Sequence, residues 1–150
     1  MLNEIYNQRI LKLAADIPLT ARLAAPDATA VAVSKLCGSK VTVDICMSGD
    51  RVAAYGAEIK ACALGQASSS IMARHVIGAS AAELHAVAAQ MRKMLKEDGP
   101  APTGDWADLE VLEPVRGYKA RHASTLLIFD AVEEAIDAAM ARNDGKSRRG

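Results

Sequence analysis

The sequence predicts an α+β domain: a three-stranded antiparallel sheet, preceded by one helix and followed by a group of helices packed on it. Three observations carry this prediction. Apolar residues recur at near-helical spacing over residues 2–17, at a spacing of two over residues 28–59, and at helical spacing again from residue 63 onwards. The period-two stretch is interrupted only by short turn signals, as a meander requires. Hydrophobic residues make up 51 % of the chain but aromatic ones only 3 %, so the core is built from Ala, Val, Leu and Met and leans towards helix. A chain of 150 residues suits a single domain. It is placed at residues 1–142, with 143–150 as a disordered basic tail.

Leu2 to Ile17 sets Ile5, Ile10, Leu11 and Leu13 on one side of an amphipathic helix, with Asn3 as N-cap and Pro18 as stop. Pro18 to Pro26 reads as a crossing loop that packs through Leu19 and Leu23 and carries no visible chemistry. In the first strand Ala30, Ala32 and Ser34 alternate with Val31, Val33 and Lys35; in the second Val41, Val43 and Ile45 alternate with Thr42 and Asp44. Ser48-Gly49-Asp50 turns the chain into a third strand, Val52 to Ile59. Cys37-Gly38-Ser39 then lies at the tip of the first turn, and Cys62 follows the third strand. Strands one and three of a meander run the same way, so both cysteines belong to one edge of the sheet. Cys46, late in strand two, belongs to the far edge and reads as a small buried hydrophobe.

A second helix runs from about Ala63 to Ile77 and ends at Gly78, with Leu64, Ser68, Ile71 and Met72 near one face. Ser80-Ala81-Ala82-Glu83 is a capping box opening a third helix to Lys96, whose stripe is Leu84, Val87, Met91, Met94 and Leu95. Residues 97–106 form a loop rich in proline and glycine, Leu109 to Val115 packs as a short helix, and Trp106 anchors this segment to the core. His122 to Met140 is the last helix. His75 and His85 read as surface or satisfied helical histidines, because neither has a Cys, His or carboxylate three or four positions further on.

Lysine plus arginine equals aspartate plus glutamate at 18 each, so no global field draws the chain to nucleic acid or to an anionic membrane. No apolar run approaches the roughly 18 residues that span a bilayer, and the first residues lack a basic start followed by a hydrophobic block. A cytoplasmic protein is expected. Three cysteines in such a chain argue against a disulfide framework and for thiols that are buried, reactive or metal-bound. Cys62 is the strongest candidate for chemistry. At a strand-to-helix junction, the unpaired N–H groups of the helix point at the sulfur and the positive end of the helix dipole favours a thiolate.

Cys62 with Gln66-Ala67-Ser68-Ser69-Ser70, Cys37-Gly38 upstream and Tyr118-Lys119-Ala120-Arg121-His122 downstream together resemble the U-type iron-sulfur cluster scaffold family: the NifU N-terminal domain, IscU and SufU. The long stretch between Cys62 and His122 is similar to the SufU branch. The resemblance implies that Cys37 and Cys62 are ligands and sulfur acceptors, that His122 stands where the family has its third cysteine, and that Ser39 stands where it usually has an aspartate. An imidazole can ligate zinc or one iron of a Rieske-type cluster, whereas a hydroxyl replaces a carboxylate poorly. The implied set is therefore Cys37, Cys62 and His122, with Ser39, water or a partner's thiolate in the fourth place.

The function so implied is a scaffold that receives iron and sulfide and hands on a [2Fe-2S] or related cluster. An alternative, and the enzyme reading, is a SufU-like zinc-dependent sulfurtransferase that accepts persulfide. A third reading is a binding relative whose metal chemistry has decayed. The implied partners are a cysteine desulfurase and recipient apo-proteins, and the domain is expected as a monomer or weak dimer.

Overall fold

A computed structural model describes residues 7–36 and 38–149. Along the chain run α1 (Gln8–Ala15), β1 (Ala28–Ser34), β2 (Ser39–Ser48), β3 (Arg51–Lys60), α2 (Ala63–His75), α3 (Ala81–Lys96), a 3-10 segment (Gly104–Gly117), a 3-10 turn (Lys119–Arg121) and α4 (His122–Arg149). The strands lie in the order β1-β2-β3 with both pairs antiparallel, as the period-two pattern predicts. Among the described residues no helix is long and apolar enough to cross a membrane.

The two chain ends differ from expectation. Asn7 caps α1, its side chain accepting from the Ile10 N–H at 3.0 Å, while Asn3 and Ile5 lie outside the described residues. Ile10 is fully buried, whereas Leu11 is half exposed. At the other end α4 passes Met140 and continues through residues 143–149, where the sequence suggests a tail. Arg142 accounts for part of this, donating to the carbonyls of Pro26 and Asp27 at 3.4 and 3.0 Å and so holding the helix against the start of the sheet.

α4 is the central support. It packs against β1, β2, α2 and α3, and Phe129, Ala131, Val132, Ala135 and Ile136 are all buried on it. Val41, Val43 and Ile45 of the central strand are buried too. The other face of the sheet is covered where Thr29, Asp44 and Gly56 stand side by side in register. Residues 19–23 cross that row. Arg22 donates from Nε to Asp44 Oδ2 at 2.6 Å and from Nη2 to Oδ1 at 3.1 Å; the Leu23 N–H at 3.0 Å and the Thr29 hydroxyl at 2.6 Å complete the shell.

The Asp44 side chain is 0 % exposed. Desolvation alone would push its pKa up, but the hydrogen bonds from Arg22, Thr29 and Leu23 and the charge of Arg22 outweigh it and hold the carboxyl below its ordinary value. The loop is therefore fastened by an ion pair, not by the apolar contacts read from its leucines: Leu19 is 41 % exposed and contributes its carbonyl to the Ala57 N–H.

α3 opens as expected on Ser80, which accepts from the Glu83 N–H at 3.1 Å. The reciprocal half of the box is given up, because Glu83 accepts from the Trp106 indole N–H at 2.8 Å and so pins the 3-10 segment to α3. Trp106 is buried, as its anchoring role predicts. His75 meets it edge-on and lies 3.1 Å from Asp108. His85 sits between Glu133 at 2.6 Å and Asp137 at 2.8 Å on α4, beside Arg92, which bridges Asp130 and Glu133. Both histidines are satisfied, by carboxylates from neighbouring elements that local spacing does not reveal.

Two predictions follow from this packing. A Cβ at Gly56 would lie 2.1 Å from the Ala21 carbonyl oxygen, so Gly56→Ala is expected to cost about 1–3 kcal/mol, read as a lower urea midpoint at unchanged slope. An unchanged midpoint would refute the loop's position over Gly56. The hydrogen bond to Glu133, opposed by desolvation and reinforced by Asp137, raises the pKa of His85. That stabilisation is full below the ordinary histidine pKa of about 6.5 and is lost as pH rises through the raised value. The deficit of His85→Gln should accordingly shrink as denaturation midpoints are measured from about pH 6 to about pH 9; a deficit constant across that range contradicts the charged bridge.

Candidate functional site

Register decides which residues share an edge. Ser39 pairs with Ser34, and Lys40 pairs with both Val33 and Lys60, so the turn joining β1 to β2 lies beside the end of β3. The Gly38 N–H closes that turn on the Ser34 carbonyl at 2.9 Å, and Gly38 has φ +72°, a conformation that favours glycine. Cys37 itself lies outside the described residues. Its neighbours there are contrasting: Leu36 is 87 % exposed, Ser39 is buried. Lys40 and Lys60 stand opposite each other on one face, where Glu58 lies 4.0 Å from the Lys60 ammonium.

Cys62 is the N-cap of α2, with extended backbone at φ −68° and ψ 173°. Its carbonyl accepts from the Gln66 N–H at 2.9 Å, which begins the helix and leaves the preceding N–H groups without intrahelical partners. The half-buried thiol donates to Ser124 Oγ at 3.4 Å, and Ser124 donates to the Arg121 carbonyl at 3.2 Å. The first turns of α2 and α4 thus meet at the sulfur. Gly65 permits the approach, since a Cβ there would lie 2.7 Å from Ala61 Cβ and 3.1 Å from the Ser124 carbonyl oxygen.

His122 is two residues before Ser124, about 200° around a helix of 3.6 residues per turn. Its Nε2 lies 3.0 Å from the Val115 carbonyl and 3.2 Å from that of Arg116. Carbonyls only accept, so Nε2 carries the hydrogen and Nδ1 the lone pair in the neutral ring. On sequence, His122 groups with Cys37 and Cys62; in the structure its ring is turned to the 3-10 segment, and the α4 side chain that meets Cys62 is Ser124. The missed signal lay in Ser124 and Thr125, small hydroxyl residues immediately before the apolar run Leu126 to Phe129 and both buried. Among the described residues, which exclude Cys37, no three His, Cys, Asp or Glu side chains form a group able to hold a metal ion. Cys46 is at the far end of β2, at an irregularity in the β2–β3 register, and its half-buried thiol donates to the Ala25 carbonyl at 3.6 Å.

Fold and edge together define a class: an α+β domain in which a thiol sits where the third strand of a meander runs into a buried, serine-rich helix. Neither a family model nor a curated protein matches the chain. Among solved structures, a nitrogen-fixing NifU-like protein (N-terminal) from Brucella abortus is 56 % identical, with 92 % of this chain and 96 % of that chain covered and a TM-score of 0.91. The chain belongs to the NifU/IscU/SufU-like family. A putative iron-sulfur cluster assembly scaffold protein for the SUF system from Fervidobacterium islandicum AW-1 shares the fold at 20 % identity, covering 89 % of this chain and 98 % of that one with a TM-score of 0.81. So does a protein described as hypothetical, at 22 % identity, 90 % and 98 % coverage and a TM-score of 0.80.

The geometry gives His122 a structural duty. Replacing it by alanine leaves the Val115 and Arg116 carbonyls without their donor, and metal-free His122→Ala is expected to lose about 1–3 kcal/mol in chemical denaturation. Unchanged stability would free the ring from that role.

Proposed function

We propose that the chain is a scaffold on which an iron-sulfur cluster is assembled and from which it is passed on, with Cys37 and Cys62 as its thiolate ligands. The observation that carries this reading is the 56 % identity over 92 % of the chain to a NifU-like N-terminal protein. The cluster is cargo. Iron enters, a cysteine desulfurase delivers sulfur as a persulfide that a two-electron donor reduces to sulfide, and the assembled cluster leaves to recipient apo-proteins.

The donor chemistry fits such a cargo. Thiolates are the ligands that iron-sulfur clusters take, and a ligating thiol must first lose its proton. When Cys62 does so, its hydrogen bond reverses: Ser124, which donates to the Arg121 carbonyl, can turn its hydroxyl hydrogen to the sulfur instead. The third protein position belongs to the first turn of α4. His122 is the better ligand by residue type, and a ring whose other N–H is held by a carbonyl is the usual form of a ligating histidine. Proximity supports Ser124 instead, at 3.4 Å from the sulfur, while His122 is engaged with two carbonyls on another side. A site with two thiolates and a weak third donor suits release of the cluster more than its storage.

Anaerobic reconstitution with ferrous iron and sulfide is expected to produce visible charge-transfer absorption that is lost in Cys37→Ser and in Cys62→Ser. Ser124→Cys should slow loss of the cluster to a chelator, and His122→Gln should leave the spectrum unchanged. A bleached spectrum in His122→Gln would return the histidine to the ligand set. A folded, colourless product carrying stoichiometric zinc as purified would overturn the scaffold reading in favour of a zinc-bearing sulfur acceptor.

A further inference from the structure

We propose that the cleft between the end of α3, the 3-10 segment and the first turn of α4 binds a phosphate group, either free or carried by a small organic molecule. The cleft has a volume of about 500 Å³, the size of a small-molecule site. Neither Cys62 nor Ser124 lines it but His122 does, so the inference rests on the reading that Ser124, not His122, turns to the cluster. Lys96, Arg116 and Lys119 line it against one carboxylate, Asp98.

These cations are poorly matched within the protein. Lys96 and Lys119 enter no ion pair among the described residues. Arg116 has only long contacts, 3.8 Å to Asp98, 3.4 Å to Glu113 and 3.4 Å to the Gly99 carbonyl. A guanidinium held only by long contacts, beside two ammonium groups without an ion pair among the described residues, suits a tetrahedral oxyanion, which offers several acceptors and more than one negative charge.

His122 lines the cleft on the α4 side. Its Nε2–H is committed to two backbone carbonyls, which leaves Nδ1 an acceptor in the neutral ring. Leu95 supplies an apolar wall for any organic part.

Isothermal titration of the full chain with inorganic phosphate and with glycerol 3-phosphate, against chloride at equal ionic strength, tests this. Saturable binding is expected, weakened at least about tenfold in the Lys96→Ala/Lys119→Ala double variant and unaltered in Cys62→Ser. Both lysines are exposed, so the double variant keeps the fold. Tighter binding of the ester would identify an organic phosphate and equal binding the free anion; either supports the site. Absence of saturable heat with both probes at millimolar concentration, or affinity unchanged in the double variant, overturns it.

Discussion

The register of the central strand is the constraint on which the site depends. A strand shifted by one residue exchanges its two faces. Here that would turn Asp44 into the layer occupied by Val43 and Ile45, and carry Val43 beneath the polar loop. The bidentate contact from Arg22, with the Thr29 hydroxyl and the Leu23 amide, makes such a slip leave a desolvated carboxylate without partners, a severe cost. Because Asp44 locks one row, Lys40 is held opposite Lys60 at the other end of the same strand. An ion pair on the back of the sheet thus sets which turn lies beside the start of α2.

Helix α2 shows why small residues crowd the segment after Cys62. It packs against α1, α4 and the 3-10 segment, and Ser68, Ser69 and Ser70 are all buried within it. A helix enclosed on several sides cannot carry large side chains on each of them without pushing its neighbours away. Serine keeps the volume low, and two of the three hydroxyls find carbonyls: Ser68 donates to Gly65 in its own helix at 3.1 Å and Ser70 to Asp16 at the end of α1 at 3.2 Å. The close seating lets the backbone at Gly65 approach Ser124, and brings the heads of two helices to one sulfur.

The same short turn of α4 serves two surroundings. Ser124 faces Cys62, and His122 faces the carbonyls at the end of the 3-10 segment and the cationic cleft beside them. A helix turn bearing one small and one large polar residue on different sides divides thiol chemistry from a region of positive charge. Lys96, Arg116 and Lys119 line that cleft, and Cys62 does not.

By itself the sequence determined the class of fold, the meander, the nearness in space of the first turn and Cys62, and the anchoring of Trp106. Each follows from periodicity or from one amphipathic side chain, which local chemistry dictates. Tertiary structure decided the rest. Asp44 reads as an ordinary polar strand residue until the loop carrying Arg22 folds over it, and the carboxylates that satisfy His85 come from another helix. Likewise, a basic run ending in His122 marks where α4 begins, but not its rotation about its own axis. That rotation is set by the packing of Phe129, Val132 and Ile136 beneath the sheet, long-range contacts that no local pattern encodes, and it is what presents Ser124 to the sulfur.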